Sequence, residues 1–247
     1  MKKIYVIISV LLITDITFSK IYAHHAMEYI EMESYSTAPK NQKVFHLHYD
    51  YFVENKDNPD LDHWEFTPGI SYGITDYIMF DVHTHFSKFG KGYTLNNIEL
   101  SPFIEAIAFS LQGRIKKFTF IDFAFVLSYE TPFKRSREYL DGKEVFEGKI
   151  ILSKDFGVHS NICLNLNFIK DGDEFLKEWA FGIKNPLSSD PHGIAGGIEI
   201  LGDYEGSLFF LPGIYIPIEN SLIKTGIGFG NSKSTNLRAN LTLMYRF

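Results

Sequence analysis

The sequence predicts an all-β protein, a transmembrane antiparallel up-and-down β-barrel of about twelve strands. Three observations favour this fold: stretches of about ten residues alternate apolar and polar side chains, polar turns separate these stretches, and the chain ends on an aromatic residue, Phe247. Alternation with a period of two is the pattern of a β-strand. Strands of roughly 9–11 residues have the length needed to cross a bilayer at a tilt.

The clearest alternation lies between His63 and Phe89. Two strands fold here over a turn that contains Thr75 and Asp76, residue types that hydrogen-bond their own backbone. One face of each strand is apolar, and the opposite face carries small and polar residues with two histidines. This hairpin would separate an apolar phase from water, and the same pattern recurs along the chain.

Twelve strands are expected from this pattern. They cover residues 44–53, two strands within 63–89, then 98–109, 118–130, 145–154, 158–169, 175–183, 193–201, 208–218, 222–230 and 237–247. Short and long connections alternate, which indicates that both ends of the mature chain face the periplasm. In lipid every backbone polar group must be paired, and only a closed barrel leaves no strand edge unpaired.

The N-terminus indicates export from the cytoplasm. Lys2 and Lys3 precede an apolar run of about ten residues that is too short for a membrane anchor, so residues 1–23 are expected to be a signal peptide cleaved after Ala23. Residues 24–42 lack clean alternation and are expected to form a periplasmic arm or a plug in the lumen. Residues 43–247 would then form a barrel in the bacterial outer membrane. A soluble lipocalin-like barrel is the structural rival, and the leader, the strand number and Phe247 favour the membrane barrel.

Composition excludes several other classes of protein. Cys163 is the only cysteine of the 247 residues, so no internal disulfide can hold the fold together. The formal net charge of −6 argues against a nucleic-acid partner, because phosphate binding needs a basic surface. No nucleophile and base are spaced for catalysis: Ser160 follows His159 directly, so the two side chains face opposite ways. We therefore expect no enzymatic activity.

Two short stretches carry a family resemblance. The residues from Gly69 to Asp76 resemble the strand-turn motif of a family of outer-membrane transporters named for the meta pathway of phenol degradation. Gly226 to Gly230, followed by Leu237 to Phe247, resemble the Gly-rich strand and closing strand of the same family. The resemblance implies an envelope barrel that passes small organic compounds, and it assigns no catalytic or binding residue. The leading predicted function is therefore a channel or transporter for a small solute, a hydrophobic or aromatic compound being one option.

Histidines on the polar strand faces suggest an alternative function. His46 and His48 share a face, as do His83 and His85, because residues two apart in a strand point the same way. A meander of the first three strands is expected to set Asp50, Thr67 and His83 at one level, and His48, Gly69 and Asp81 at another. Glu65 and His85 are expected at a further level. Imidazoles with a carboxylate can hold Cu²⁺, Zn²⁺ or Ni²⁺.

The metal prediction has a simpler competitor. In a polar lumen, His–Asp pairs can satisfy one another without any ion. The predicted ligands are His46, His48, His83, His85, Asp81 and Glu65, with a separate copper site at a new N-terminus formed by His24 and His25. A flexible arm explains the last two residues equally well.

The expected partners follow from the predicted location. They are outer-membrane lipid and a small solute, with lipopolysaccharide phosphates bound by Lys134, Arg135 and Arg137 in a long loop. A terminal aromatic residue on an alternating strand resembles the assembly signal of bacterial outer-membrane proteins, so Phe247 is expected to engage the barrel-assembly machinery. The sequence leaves three functions open: a solute channel, a metal-binding or metal-passing barrel, and a structural barrel without transport.

Overall fold

Twelve strands close into one antiparallel barrel in the computed structural model. The structure describes residues 29–54, 57, 62–89, 94–95, 98–99, 103–118, 121–139, 142–156, 160–188, 190, 193–231 and 236–247. The predicted signal peptide, His24, His25 and His159 lie outside these residues. Among the helices that the structure describes, none is both long and apolar enough to cross a membrane.

Each barrel strand pairs with the barrel strand that follows it along the chain. The strands are β1 (Lys43–Val53), β2 (His63–Thr75), β3 (Ile78–Phe89), β6 (Phe103–Phe118), β7 (Ile121–Pro132), β8 (Val145–Phe156), β9 (Ser160–Asp171), β10 (Glu174–Pro186), β11 (Ala195–Asp203), β12 (Leu208–Ile218), β13 (Ser221–Gly230) and β14 (Leu237–Arg246). A separate two-stranded sheet joins β4 (Thr94–Leu95) to β5 (Ile98–Glu99), and one helix, α1 (Lys134–Tyr139), follows β7.

The first and last strands close the barrel. β14 pairs antiparallel with β1, and the Phe247 and Lys43 backbones exchange two hydrogen bonds of 3.0 and 3.1 Å beyond the last strand residue. The prediction of a twelve-stranded up-and-down barrel is therefore confirmed. The predicted fourth strand was misplaced, since residues 98–109 were expected to be extended and β6 runs instead from Phe103 to Phe118. Its pairing with β3 continues past Phe109 to Gly113, which lengthens the strand in that direction.

The two faces of the barrel differ as a membrane requires. The exposed large hydrophobic side chains alternate along the strands and point outward, as Phe45 and Tyr49 do on β1 and Phe125 and Leu127 do on β7. Polar and charged residues between them point inward and are buried, such as Asn161, Lys184 and Glu199, which are at most 1% exposed. An apolar exterior and a polar interior are the pattern of outer-membrane barrels and the reverse of a soluble lipocalin-like barrel.

The two ends of the barrel are also unlike. Both termini of the barrel lie at the end where two-residue turns join β2 to β3 and β12 to β13, and where a longer connection joins β10 to β11. At the first of these turns, the Thr75 hydroxyl accepts hydrogen bonds from the backbone N–H groups of Tyr77 and Ile78. The longer connections after β1, β3 and β7 lie at the other end. Short turns on the periplasmic side and long outer loops are typical of outer-membrane barrels, and that the terminal end faces the periplasm stays a prediction.

Candidate functional site

Residues 29–42, which we call the lumen segment, run inside the barrel before β1 begins. Tyr29 is fully buried, and its hydroxyl lies 2.7 Å from the Asn161 side-chain oxygen on β9. The same hydroxyl reaches the Gly182 carbonyl of β10 at 3.3 Å. Tyr29 and Met32 pack in a buried cluster with inward-facing residues of β7 to β10, namely Ala124, Val126, Ile151, Cys163 and Ala180.

A single carboxylate anchors the start of the lumen segment. Glu199 projects inward from β11 and accepts hydrogen bonds from three consecutive backbone N–H groups, those of Ile30 at 2.5 Å, Glu31 at 2.9 Å and Met32 at 3.0 Å. The Tyr215 hydroxyl donates a fourth bond at 3.0 Å. Glu199 is fully buried, so the donors replace the water that its charge would otherwise need. The Lys224 ammonium donates to the adjacent Tyr29 carbonyl.

Glycines make room in the barrel wall for this segment. Gly197, Gly213 and Gly226 are directly paired across β11, β12 and β13, and they form a row without side chains on the inner face. The Ile30 side chain rests on this row: a Cβ atom at Gly213 would lie 2.1 Å from its Cδ1 atom, and one at Gly226 would lie 2.9 Å away. A side chain at Gly213 would displace Ile30, and one at Gly226 would also meet the Pro212 carbonyl oxygen at 2.7 Å.

The rest of the lumen segment is tied to the wall through its backbone. The Gln112 amide on β6 donates to the Ser34 and Ser36 carbonyls at 2.7 and 3.2 Å, and the Asn165 amide on β9 donates to the Glu33 carbonyl at 3.2 Å. The Cys163 thiol lies 3.7 Å from the same carbonyl oxygen. The segment thus contacts strands on several sides of the barrel before it reaches β1.

A group of charges surrounds Glu31 within the lumen. The Arg238 guanidinium lies 2.9 Å from the Glu31 carboxylate and 3.0 Å from that of Asp50, and the Asn240 amide donates to both carboxylates. Burial raises the pKa of Glu31 to about 7, with Asp50 and Glu199 adding to the shift and Arg238 and Lys224 opposing it. Burial likewise raises the pKa values of the Tyr29 and Tyr35 phenols above their ordinary value.

The predicted histidines form a second cluster on β1 and β3, next to this group of charges. Asp81 of β3 accepts hydrogen bonds on both oxygens: the His46 Nε2 atom lies at 2.6 Å, the His83 Nδ1 atom at 2.7 Å and the Ser71 hydroxyl at 2.7 Å. The His48 ring stands 5.3 Å from the His46 ring, centroid to centroid. Gly69 lies between His46 and His83 in the register, and its lack of a side chain lets the two rings approach to 6.2 Å.

The predicted register was wrong by two residues on each side of β2. His46, rather than His48, pairs with Gly69, and His83, rather than Asp81, follows on β3. The parity was right, so the histidines do share the inner face. His85 lies 3.2 Å from Glu130, and Glu65 lies 3.6 Å from His63, so these two predicted ligands face other partners. Among the described residues, no group of three or more histidine, cysteine or acidic side chains is arranged to hold a metal ion.

A cavity of about 490 Å³ separates the histidine cluster from the lumen segment. Its walls carry imidazoles, hydroxyls, amides and charges from both sides, including His46, His48, His83, Ser71, Ser110, Gln112, Arg114 and Lys224. Val44, Met79, Val126 and Met244 supply apolar patches between the polar groups. Space of this size suits a small molecule.

Comparison with known proteins bears on the fold. No protein-family model matches the chain, and no curated protein matches it. The barrel is similar to the KdgM porin, with 7% sequence identity, a TM-score of 0.61, and coverage of 83% of this chain and 99% of that one. It is also similar to the COG4313 outer membrane channel from Pseudomonas putida F1, with 10% identity, a TM-score of 0.61, and coverage of 89% and 100%. The chain has the fold of a bacterial outer-membrane barrel.

The residues that bind the lumen segment were not singled out by the sequence. Glu199, Lys224 and Arg238 look like ordinary polar positions of alternating strands, because nothing local shows what will face them. One signal was present: Glu199 lies between Ile198 and Ile200 in a strand otherwise made of apolar residues and glycine up to Asp203. A lone carboxylate in such a strand needs a partner once it is buried.

Proposed function

We propose that the protein is an outer-membrane channel for a small polar solute, and that residues 29–42 act as a plug which must shift before solute passes. One observation carries the proposal: the lumen segment lies across the interior and is bound by side chains of β6, β9, β11 and β13. Twelve strands enclose a narrow interior, between the filled barrels of eight strands and the open pores of sixteen. A single segment can therefore obstruct this lumen.

The walls of the cavity support a polar solute. Imidazoles, hydroxyls and charged groups line much of the cavity, and a polar solute could exchange its hydration for their hydrogen bonds. An aromatic solute, as the family resemblance implies, would leave many of these groups unpaired. A neighbour of the same fold, the KdgM porin, has been solved in complex with disordered oligogalacturonate, at 7% identity to this chain.

Conductance of the refolded protein in planar bilayers tests the plug. The mature chain is compared with a variant that lacks residues 24–42, and with Glu199→Gln in the full chain in case the deletion hinders folding. We expect low conductance for the mature chain and an increase of about tenfold or more in both variants. Equal conductance in all three proteins would overturn the plug, and no conductance in any of them would favour a structural barrel without transport.

Swelling of proteoliposomes then tests the solute class. Small sugars and carboxylates are compared with aromatic compounds of similar mass, using the deletion variant so that the plug does not interfere. Faster entry of the polar solutes is the expected result. Selective entry of the aromatic compounds would contradict the polar-solute proposal and return the hydrophobic or aromatic option to first place.

A second candidate function is binding or passage of a transition metal, and the contacts of Asp81 favour it. A histidine that ligates a metal usually donates its other ring N–H to a carboxylate, and both His46 and His83 bond to Asp81 in that way. Calorimetry with Cu²⁺, Zn²⁺ and Ni²⁺ tests this candidate against a variant with His46, His48, His83 and His85 changed to Ala. Binding that persists unchanged in this variant, or is absent from both proteins, would refute it.

A further inference from the structure

Two lysines face the lipid side by side at the outer end of the barrel. Lys170 on β9 and Lys177 on β10 lie on the outward faces of their strands, in line with Phe168 and Phe181. Lys170 pairs across the strands with Phe175, and Lys177 pairs with Phe168, so the lysines are diagonal neighbours. Diagonal positions on one sheet face lie about 7–8 Å apart. The turn that joins their strands belongs to the end opposite the termini, the end assigned to the outer leaflet.

Both charges lack a counter-ion within the part of the chain that the structure describes. Neither lysine forms an ion pair with a described residue, and the Lys177 ammonium lies 5.8 Å above the centre of the Phe175 ring. The acidic residues adjacent in sequence, Asp171 to Lys170 and Glu178 to Lys177, belong to the opposite, inward set of alternating positions. Two like charges at a lipid boundary attract the anionic groups of the membrane surface.

Aromatic side chains complete an amphipathic surface around the two ammonium groups. Phe146 is 52% exposed, Phe168 39% and Phe175 60%, and all three lie on the strands β8, β9 and β10 beside the lysines. An anionic headgroup joined to acyl chains would match this pattern, with its phosphates on the lysines and its chains against the rings. In the outer leaflet of the outer membrane, the lipid with this chemistry is lipopolysaccharide.

We propose that Lys170 and Lys177, with Phe146, Phe168 and Phe175, form a binding site for a phosphate and the adjoining acyl chains of lipid A. The site is separate from the loop basic residues Lys134, Arg135 and Arg137, and it uses lipid-facing strand positions. It is independent of transport through the lumen, since all five side chains point away from the interior.

The barrel supplies its own matched control. Lys43 and Lys154 also face outward, but they lie at the end of the barrel that holds the termini, at the start of β1 and near the end of β8. The pair Lys170→Gln/Lys177→Gln is therefore compared with Lys43→Gln/Lys154→Gln, which removes the same number of lipid-facing charges. Each variant is refolded in neutral detergent and titrated with bisphosphorylated lipid A, with lipid A lacking phosphates, and with phosphatidylglycerol.

Binding is measured by native mass spectrometry of the protein–lipid complexes. We expect the outer pair of substitutions to weaken bisphosphorylated lipid A binding by about 10- to 30-fold, as for the loss of two lysines near an anionic lipid surface. The periplasmic pair should leave this binding within about twofold of the unchanged protein. Equal weakening by the two pairs, equal binding of phosphate-free lipid A, or a preference for phosphatidylglycerol would each overturn the proposal.

Discussion

Substitution of Glu199 by glutamine should release the lumen segment from the barrel wall. The carboxylate accepts three consecutive backbone N–H bonds of 2.5–3.0 Å, and it is fully buried. Glutamine has nearly the same shape, but it removes the charge and turns one acceptor oxygen into an N–H₂ donor. That donor would face backbone N–H groups that also need an acceptor.

The size of the effect follows from these bonds. A hydrogen bond to a charged group contributes about 1.5–3 kcal/mol, and an unpaired buried donor costs a similar amount. Losing the charge and at least one of the three bonds should therefore destabilise the docked segment by about 3 kcal/mol. Since about 1.4 kcal/mol is a factor of ten in an equilibrium constant, the population of the undocked state should rise by roughly 100-fold.

Cys163 reports this change without any added label site. It is the only cysteine of the chain, it is 1% exposed, and it lies against the lumen segment beside the Glu33 carbonyl. A small maleimide should therefore react with it only when the segment leaves, at a rate proportional to the undocked population while redocking is fast. The rate for the variant lacking residues 24–42 defines the fully open limit.

The matched control is Glu178→Gln on the neighbouring strand β10. Glu178 also points inward and is partly buried, but its side chain bonds to Asn167 rather than to the lumen segment. We expect Glu199→Gln to accelerate labelling of Cys163 strongly and Glu178→Gln to leave the rate near that of the unchanged protein. Equal rates for Glu199→Gln and the unchanged protein would refute the assignment of Glu199 as the anchor.

Three further predictions concern the same interior. Gly213→Leu should also accelerate Cys163 labelling, because the new side chain would occupy the space of Ile30, whereas leucine at the outward-facing position Ile214 should not. Lowering the pH from 8 to 6 should stabilise the docked state about tenfold, measured as reduced conductance. Docking raises the pKa of Glu31, so the docked state binds one more proton than the undocked state and loses stability as the pH rises from about 4.5 through 7. Glu31→Gln should remove the pH dependence of the conductance. A pH dependence that survives this substitution would contradict Glu31 as its cause. Asp81→Asn should lower the free energy of unfolding in urea by about 2–3 kcal/mol, because Asp81 accepts bonds from Ser71, His46 and His83; an unchanged urea midpoint would count against these contacts.

The sequence by itself determined the fold class and which residues of a strand share a face. Alternation along stretches such as Phe45 to Tyr51 has a period of two whatever the partner strand is, so the number of strands could be read directly. Parity also placed His46, His48, His83 and His85 together on one face. The closure of the barrel could also be predicted, because a strand edge with unpaired backbone N–H and C=O groups is unfavourable in lipid.

Only the tertiary structure decided the register, the direction of the faces and the path of the lumen segment. A shift of two residues preserves parity, so the pattern could not distinguish His46 from His48 as the neighbour of Gly69. The sequence around Gly213, Gly226 and Glu199 shows only ordinary strand alternation. Their common role, which is to hold the backbone and side chain of Ile30, depends on strands that are distant in the chain from that residue. Contacts between residues more than 160 positions apart, such as Glu199 with Glu31, have no signature in either segment alone, because each side chain acquires its partner only when the barrel closes around the segment.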